Sequence, residues 1–482
     1  MSFQADAPIT FGTDGWRAVI GRDFTYDSLF KVALAAGRVW SQSNPGASIV
    51  VGYDTRFQAG AFARIAAEAL ASCGLHVRLS DAYVPTPGLC YSVAQDEQAV
   101  GGVQLTASHN PAEYLGFKVR MADGGASPVE FTQTIEAQLA QLTDAEIEAA
   151  RAFDERLIET CDIVGPYLDA LYDCVDTQLL EEYAQRQSSA VIVVDPLYGA
   201  GQSYLARALS NLGINVREIH NELNPSFGGL HPEPIPPWTN TARAVTLANK
   251  AAAAFITDGD ADRIGALDEA GNFVSPHKII ALVAQHLVQD RDMRGRIVKT
   301  LSTSTTIDRL GRLLGCEVTT TPIGFKWIYA EMLKGDVLIG GEESGGIGLP
   351  VHVRERDGLL MALLLTEMMA QRNQTLKELV ENLEASVGTM YYRRVDLRLA
   401  PEQKDAFVAA QDTLRPASVA GFEVRDIITS DGIKLLFDDD QWLLLRPSGT
   451  EPLVRVYAET ITPEILEALL EAGQNLVTGG GE

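Results

Sequence analysis

The chain has 482 residues, 46% of them hydrophobic, and carries 39 basic against 64 acidic side chains for a formal net charge of −25. That length exceeds what one hydrophobic core covers, so the composition of an ordinary soluble protein predicts three or four domains. The acidic balance argues against nucleic acid or an anionic membrane as a partner, and it requires cations to be concentrated locally if the ligand is a phosphate.

Five cysteines, at 73, 90, 161, 174 and 316, show neither metal spacing nor a disulfide framework, which predicts a reducing, cytoplasmic setting. Met1 to Pro8 has no secretory core, and the most apolar run, Leu359 to Ala370, is short and interrupted by Glu367.

One grammar recurs three times along the chain. Ser48-Ile49-Val50-Val51 begins a strand, followed by a polar turn at Asp54-Thr55-Arg56, a helix through Leu70, then Gly74 and a second strand at Leu75-His76-Val77. The pattern returns at Val191 to Val194, with a turn through Gly199-Ala200-Gly201, a helix through Leu212, Gly213 and Ile214 to Val216. A third copy runs from Arg296-Ile297-Val298 through polar Ser302 to Thr306, a helix through Leu314, Gly315 and Cys316 to Val318. Strand, turn, helix, glycine, strand is a βαβ unit, with the glycine ending each helix, so three mixed α/β domains are predicted. None of the turns reads GxGxxG or GxxxxGK[ST], which removes the nucleotide-binding reading.

A charged helix over Thr143 to Glu159 sets a first boundary near 153, and the acidic loop Asp268 to Asn272 sets a second near 268. After Ala385 the texture changes to alternating strands with a hairpin. The predicted domains are therefore 1–153, 154–268, 269–385 and a distinct C-terminal one, 386–482.

Four loops carry the chemistry. After a strand at Ala99 to Leu105 comes Thr106-Ala107-Ser108-His109-Asn110-Pro111, where Pro111 disfavours helix at Asn110 and leaves Ser108 pointing outward. The same residues would also cap a helix starting at Pro111, so the hexapeptide alone leaves nucleophile and cap both open. In Thr257-Asp258-Gly259-Asp260-Ala261-Asp262-Arg263, three carboxylates two residues apart can converge on one cation, and all-oxygen ligation without Cys or His suits Mg²⁺. A calcium loop would need glycine where Arg263 stands. Gly340-Gly341-Glu342-Glu343-Ser344-Gly345-Gly346 lets a ligand lie against the backbone and offers Glu342 and Ser344 to vicinal hydroxyls. Arg446-Pro447-Ser448-Gly449-Thr450-Glu451-Pro452, between two strands and close to Arg455, is a concave anion site suited to a phosphate.

In this order and spacing, and with Phe11-Gly12-Thr13-Asp14-Gly15-Trp16-Arg17 near the start, these loops resemble the α-D-phosphohexomutase superfamily over nearly the whole chain. The resemblance implies three similar mixed-sheet α/β domains plus a smaller α+β C-terminal domain around a central cleft. It implies interconversion of hexose 1-phosphate and hexose 6-phosphate, glucose ahead of mannose, through a phosphoserine at Ser108 and a hexose 1,6-bisphosphate. Phosphomannomutase and phosphoglucosamine mutase activity are the alternatives within the family.

By motif match, Mg²⁺ falls to Asp258, Asp260, Asp262 and the phosphorylated Ser108, and acid/base work to His109, Lys118 and Arg17. A lysine so used needs a depressed pKa, expected beside Arg17 and Arg263. Substrate contacts fall to Arg263, Gly324, Lys326, Glu342, Ser344, Arg446, Ser448, Gly449, Thr450 and Arg455. The partners implied are small hexose phosphates, acted on by a monomer or small homo-oligomer. Two other classes use parts of the same set. A phosphatase would recruit two or more metals through additional His and Asp residues, whereas the chain has 7 histidines of which His109 alone falls within a candidate motif. A non-catalytic sugar-phosphate binder would need neither Ser108 nor the three aspartates.

Overall fold

The computed structural model describes residues 9–12, 15–449 and 452–479, with the side chain of residue 412 left aside. Four main sheets follow one another along the chain. The first three share one wiring. In the first, Ser48–Tyr53 lies parallel to His76–Ser80 on one side and to Ala99–Leu105 on the other, and Tyr114–Met121 returns antiparallel against Ala99–Leu105. In the second, the same places are taken by Val191–Asp195, Asn215–Glu218, Ala253–Thr257 and Ile264–Asp268. In the third, they are taken by Arg296–Thr300, Val318–Thr321, Val337–Gly341 and Ile347–Gly348.

The central strands are runs of Val and Ile because helices cover both of their faces. Ile49, Val50 and Val51 are fully buried, as are Ile297 and Val298. Gly74, Gly213 and Gly315 end the three helices in the left-handed conformation, φ +79°, +82° and +68°, as their repeated position predicts.

The wiring fixes where the chemistry goes. The serine loop joins Leu105 to Tyr114, the aspartate loop joins Thr257 to Ile264, and the Glu342–Ser344 loop joins Gly341 to Ile347. All three occupy the same hairpin of the repeat. Longer loops were not needed to bring them together, because each domain presents the same end of its sheet.

Two local readings are corrected. The charged stretch 143–159 is not one helix: Asp144–Ala150 is helical behind a Thr143–Glu146 capping box, and Ile158–Cys161 becomes the last strand of the first sheet, paired with His76–Ser80. Leu157 and Ile158 pack against the first core, and that burial outweighs the helical propensity of the charged residues. Likewise Leu376–Val387 stays helical across residue 385 until Gly388, at φ +84°, stops it.

The apolar run from Leu359 belongs to the helix Gly358–Arg372, buried from residue 358 through 370 between the second and third domains. Among the described residues no helix is long and apolar enough to cross a membrane. The C-terminal sheet, Tyr391–Arg398, Leu453–Thr460, Trp442–Pro447, Ile433–Leu436 and Asp426–Ile428 in spatial order, is wholly antiparallel. Leu466, Leu469 and Leu470 cover one of its faces, while Trp442, Leu444 and Tyr457 meet Leu301 of the third domain on the other.

One buried charge joins three domains. His352 lies 3.3 Å from Asp357, its ring stacks on Tyr91, and Tyr167 donates to the same carboxylate at 2.9 Å. Burial opposes the imidazolium, but Asp357 and the Cys174 sulfur outweigh it and raise the His352 pKa from the ordinary 6.5 to about 9. The folded value lies above the unfolded one, so the stabilisation is complete below pH 6.5 and is lost as pH rises through about 9. Urea midpoints are expected to fall across pH 7–10 by the equivalent of about 2–3 kcal/mol. His352→Gln should flatten that profile, and an unchanged slope in the variant would contradict the assignment.

Candidate active site

Ser108 sits at φ +52°, a left-handed conformation that a non-glycine residue keeps only where its surroundings hold it. Its backbone N–H donates to Thr106 Oγ1 at 2.8 Å. Arg56 does the rest. From inside the protein its guanidinium donates to the carbonyls of Ser108, Asn110 and Pro111 at 2.6 Å each and of Tyr114 at 2.9 Å. It also pairs with Asp54 at 3.1 Å and lies 4.8 Å over the ring of Phe227 from the second domain. The chain after Pro111 forms a turn rather than a helix, which removes the capping reading of the hexapeptide.

Nor does Ser108 point into solvent. It is 1% exposed and faces the second domain, where its Oγ donates to Asp258 Oδ2 at 2.9 Å. Gly259 permits this approach, since a Cβ there would stand 2.4 Å from the Ser108 carbonyl oxygen.

Asp258, Asp260 and Asp262 are wholly buried, with one carboxylate oxygen from each within 4.8 Å of the others. Burial, then Asp260 and Asp262, drive the Asp258 pKa well above the carboxylate range, and burial raises Asp262 as well. For Asp260 burial is overcome by the Lys118 ammonium at 2.8 Å and the Thr86 hydroxyl at 2.7 Å, which hold its pKa down. Asp260 Oδ1 and Asp262 Oδ1 accept no hydrogen bond among the described residues. A buried acceptor left in that state costs about 1–3 kcal/mol, and a hard divalent cation answers both at once. The residues present fit magnesium.

Other expected residues gather at the same place. His109 Nδ1 lies 3.4 Å from Ser108 Oγ, and burial, followed by Arg263, Arg17, His231 and Lys118, keeps the His109 pKa well below 6.5, so the ring is neutral. Arg17 donates to the Asn110 side chain at 2.7 Å. Lys118 differs from expectation. It is fully buried, with Asp260 at 2.8 Å and Asp262 at 3.6 Å among its direct neighbours, carboxylates that the expectation did not include. Arg263 donates its backbone N–H to Asp258 at 3.1 Å and places Nε 3.9 Å from Asp262.

The loop of the third domain is bonded straight to this centre: the Ile264 N–H donates to the Gly345 carbonyl at 3.0 Å. Arg356, which sequence reasoning missed, bridges the two loops. Its guanidinium reaches Asp262 at 2.6 Å, Glu342 at 3.7 Å and Glu355 at 3.0 Å. Burial raises the Glu342 pKa to about 7, with Arg356 pulling the other way. Ser344 Oγ is buried and makes no hydrogen bond among the described residues, while Glu343 accepts one from Thr300 at 3.1 Å.

Gly324 precedes the helix Phe325–Met332, and Lys326 lies 5.2 Å over the Trp327 ring. On the C-terminal sheet Arg446 and Arg455 stand directly opposite each other. Arg446 pairs with Asp431 at 2.8 Å, and the Ser448 carbonyl accepts from Lys404 at 2.6 Å. A Cβ on Gly449 would meet nothing within 4 Å. Thr450 lies outside the described residues. Arg56 and His231, whose ring is 6.3 Å from that of His109, are further members that no motif marked.

Comparison with known proteins points to one family. Models of the phosphoglucomutase/phosphomannomutase family match in four consecutive pieces: alpha/beta/alpha domain I at residues 8–146, domain II at 165–271, domain III at 275–387 and the C-terminal domain at 395–473. A phosphoglucomutase/phosphomannomutase of Thermococcus kodakarensis is 30% identical over 97% of this chain and 98% of its own length. A phosphoglucosamine mutase of Carboxydothermus hydrogenoformans is also 30% identical, over 96% and 97%. Among solved structures, a protein of Thermus thermophilus assigned to the phosphomannomutases is 40% identical, covers 98% of this chain and all of its own, and superposes with a TM-score of 0.85. With the four domains and the three buried aspartates, these matches place the chain in the phosphoglucomutase/phosphomannomutase family of phosphotransferring sugar mutases.

Proposed function

We propose that the protein interconverts hexose 1-phosphate and hexose 6-phosphate in the cytoplasm, with glucose the preferred sugar and Ser108 the phosphoryl carrier. The observation behind it is the Ser108 hydroxyl, 2.9 Å from Asp258 at the edge of a buried carboxylate trio with unsatisfied oxygens.

Charge balance supports the reading. A phosphoserine of about −2 and three carboxylates sum to about −5, against +2 for a magnesium ion. Lys118, Arg263 and Arg356, all beside the trio, supply the missing +3. Asp258, Asp260 and Asp262 would hold the metal, which when bound draws charge from the serine oxygen as the phosphoryl group departs.

The sugar hydroxyl attacks phosphorus, its new O–P bond forming as the Ser108 Oγ–P bond breaks. The hydroxyl's proton passes to the neutral imidazole of His109, which lies 3.4 Å from Ser108 Oγ and returns a proton to that oxygen as it is released. The hexose 1,6-bisphosphate turns over and returns its other phosphate to Ser108 by the reverse step. Glu342 and Ser344 grip hydroxyls common to glucose and mannose, while Arg446, Ser448, Gly449, Thr450 and Arg455, with Lys326, hold the phosphate that is not reacting. Lys118 acts chiefly as a fixed cation, and Arg17 holds the serine loop through Asn110.

Rates measured on glucose, mannose and glucosamine 1-phosphates, with a trace of the 1,6-bisphosphate, test this. Glucose 1-phosphate should isomerise fastest, EDTA should abolish turnover, and Mg²⁺ should restore it. Steady release of inorganic phosphate without isomerisation would instead identify a hydrolase.

A further inference from the structure

We propose that Asp431 is a positioning residue that ties the phosphate-binding Arg446 to the third domain, so that the clamp is aligned when the C-terminal domain is docked. The inference rests on the reading that Arg446 holds the substrate phosphate.

Asp431 lies in the turn between Asp426–Ile428 and Ile433–Leu436, and its two oxygens are used in two directions. Oδ1 accepts from Arg446 Nε at 2.8 Å, and Oδ2 accepts from the backbone N–H of Ile323 at 2.9 Å. Ile323 precedes Gly324, where the helix carrying Lys326 begins. One carboxylate therefore spans the two segments assigned to the phosphate.

The turn is also seated rigidly. Gly432, at φ +85°, lies so close to the neighbouring strand that a Cβ would come within 2.5 Å of the Leu445 carbonyl. A guanidinium has five N–H donors in a planar fork, so fixing Nε sets the plane in which the other four can meet phosphate oxygens. Without Asp431 the side chain is free to rotate, and its alignment must be recovered on every binding event.

Docking of the C-terminal domain does not depend on this residue alone. Lys434 Nζ donates to the Leu301 carbonyl at 2.6 Å, and Glu459 accepts from both Thr305 Oγ1 and Trp442 Nε1 at 2.8 Å. A variant at 431 should therefore fold and dock, leaving the alignment as the property that changes.

In the full chain with Mg²⁺ and glucose 1-phosphate, Asp431→Ala is expected to raise KM about tenfold while kcat stays within about threefold. The dissociation constant for glucose 6-phosphate, read by calorimetry, should rise in parallel, and Asp431→Glu should recover part of the loss. A KM and dissociation constant equal to wild type, even with a lower Tm, would overturn the proposal and leave Asp431 a plain contact between domains. Wild-type protein that neither binds nor turns over sugar phosphates would count against the mutase reading. The tie itself would then be read by hydrogen exchange, where Asp431→Ala must speed exchange in a peptide covering 318–327, and unchanged protection would overturn it.

Discussion

Replacing Ser108 with alanine is expected to lower isomerisation by about 10⁴-fold or more while leaving glucose 6-phosphate bound within a few-fold of wild type. The substitution removes the only atom that carries the phosphoryl group in the proposed cycle, and among the described residues no other hydroxyl of the serine loop donates to the aspartate trio. Arg56 and Thr106 hold the backbone of residue 108 through its carbonyl and N–H, so the loop keeps its shape without the hydroxyl. Asp258 loses one donor, a cost of about 1–3 kcal/mol. A coupled assay and calorimetry on the same preparation separate the two effects. Retained turnover would remove Ser108 from the mechanism.

Arg56→Met should be the most damaging change outside the reacting groups. It breaks a buried ion pair, for which about 3–5 kcal/mol is the usual loss, and takes the donor away from four carbonyls of the serine loop. Asp54, whose pKa burial already raises to about 6 against the pull of Arg56, would become a buried acid without a cation beside it, keeping only the backbone N–H of residue 56 and the Thr106 side chain. The lowest-temperature unfolding transition should move down by several degrees, and kcat should fall about 100-fold as Ser108 loses its left-handed geometry. Asp54→Asn combined with Arg56→Met should recover part of the stability and none of the rate. Recovery of both would show that Arg56 acts on stability alone.

The scaffold of this site was legible because it rests on local signals repeated three times. Val and Ile runs, a polar turn, an amphipathic helix and a capping glycine predicted each βαβ unit, and the catalytic loops fall on one equivalent hairpin of that unit. The aspartates were legible from spacing alone. What the sequence could not supply was orientation. Pro111 gave reason to keep helix away from Asn110, but it is the burial of Ser108 and its hydrogen bond to Asp258 that show the side chain turned inward.

Arg56 read as a turn residue, and Arg356 as one charge in a short charged stretch. Arg56 takes its role from serine-loop carbonyls of its own domain that lie 52 residues away for Ser108, and Arg356 takes its role in part from Asp262 of the second domain, at a larger separation. Lys118 shows the same limit: its neighbours across the domain boundary are acids, which no reading of Gly116-Phe117-Lys118 contains. The stretch 143–159 failed for a different reason, since a charged composition fits a helix equally well whether or not the next apolar pair is captured by a sheet edge.

The most direct measurement is the mass of the protein after brief equilibration with glucose 1,6-bisphosphate and Mg²⁺, followed by peptide mapping. A single added phosphate on Ser108, discharged when excess glucose 6-phosphate is supplied, is the predicted result. Protein that stays unmodified while isomerising at full rate, or a phosphate mapped to another side chain, would contradict a serine-carried transfer.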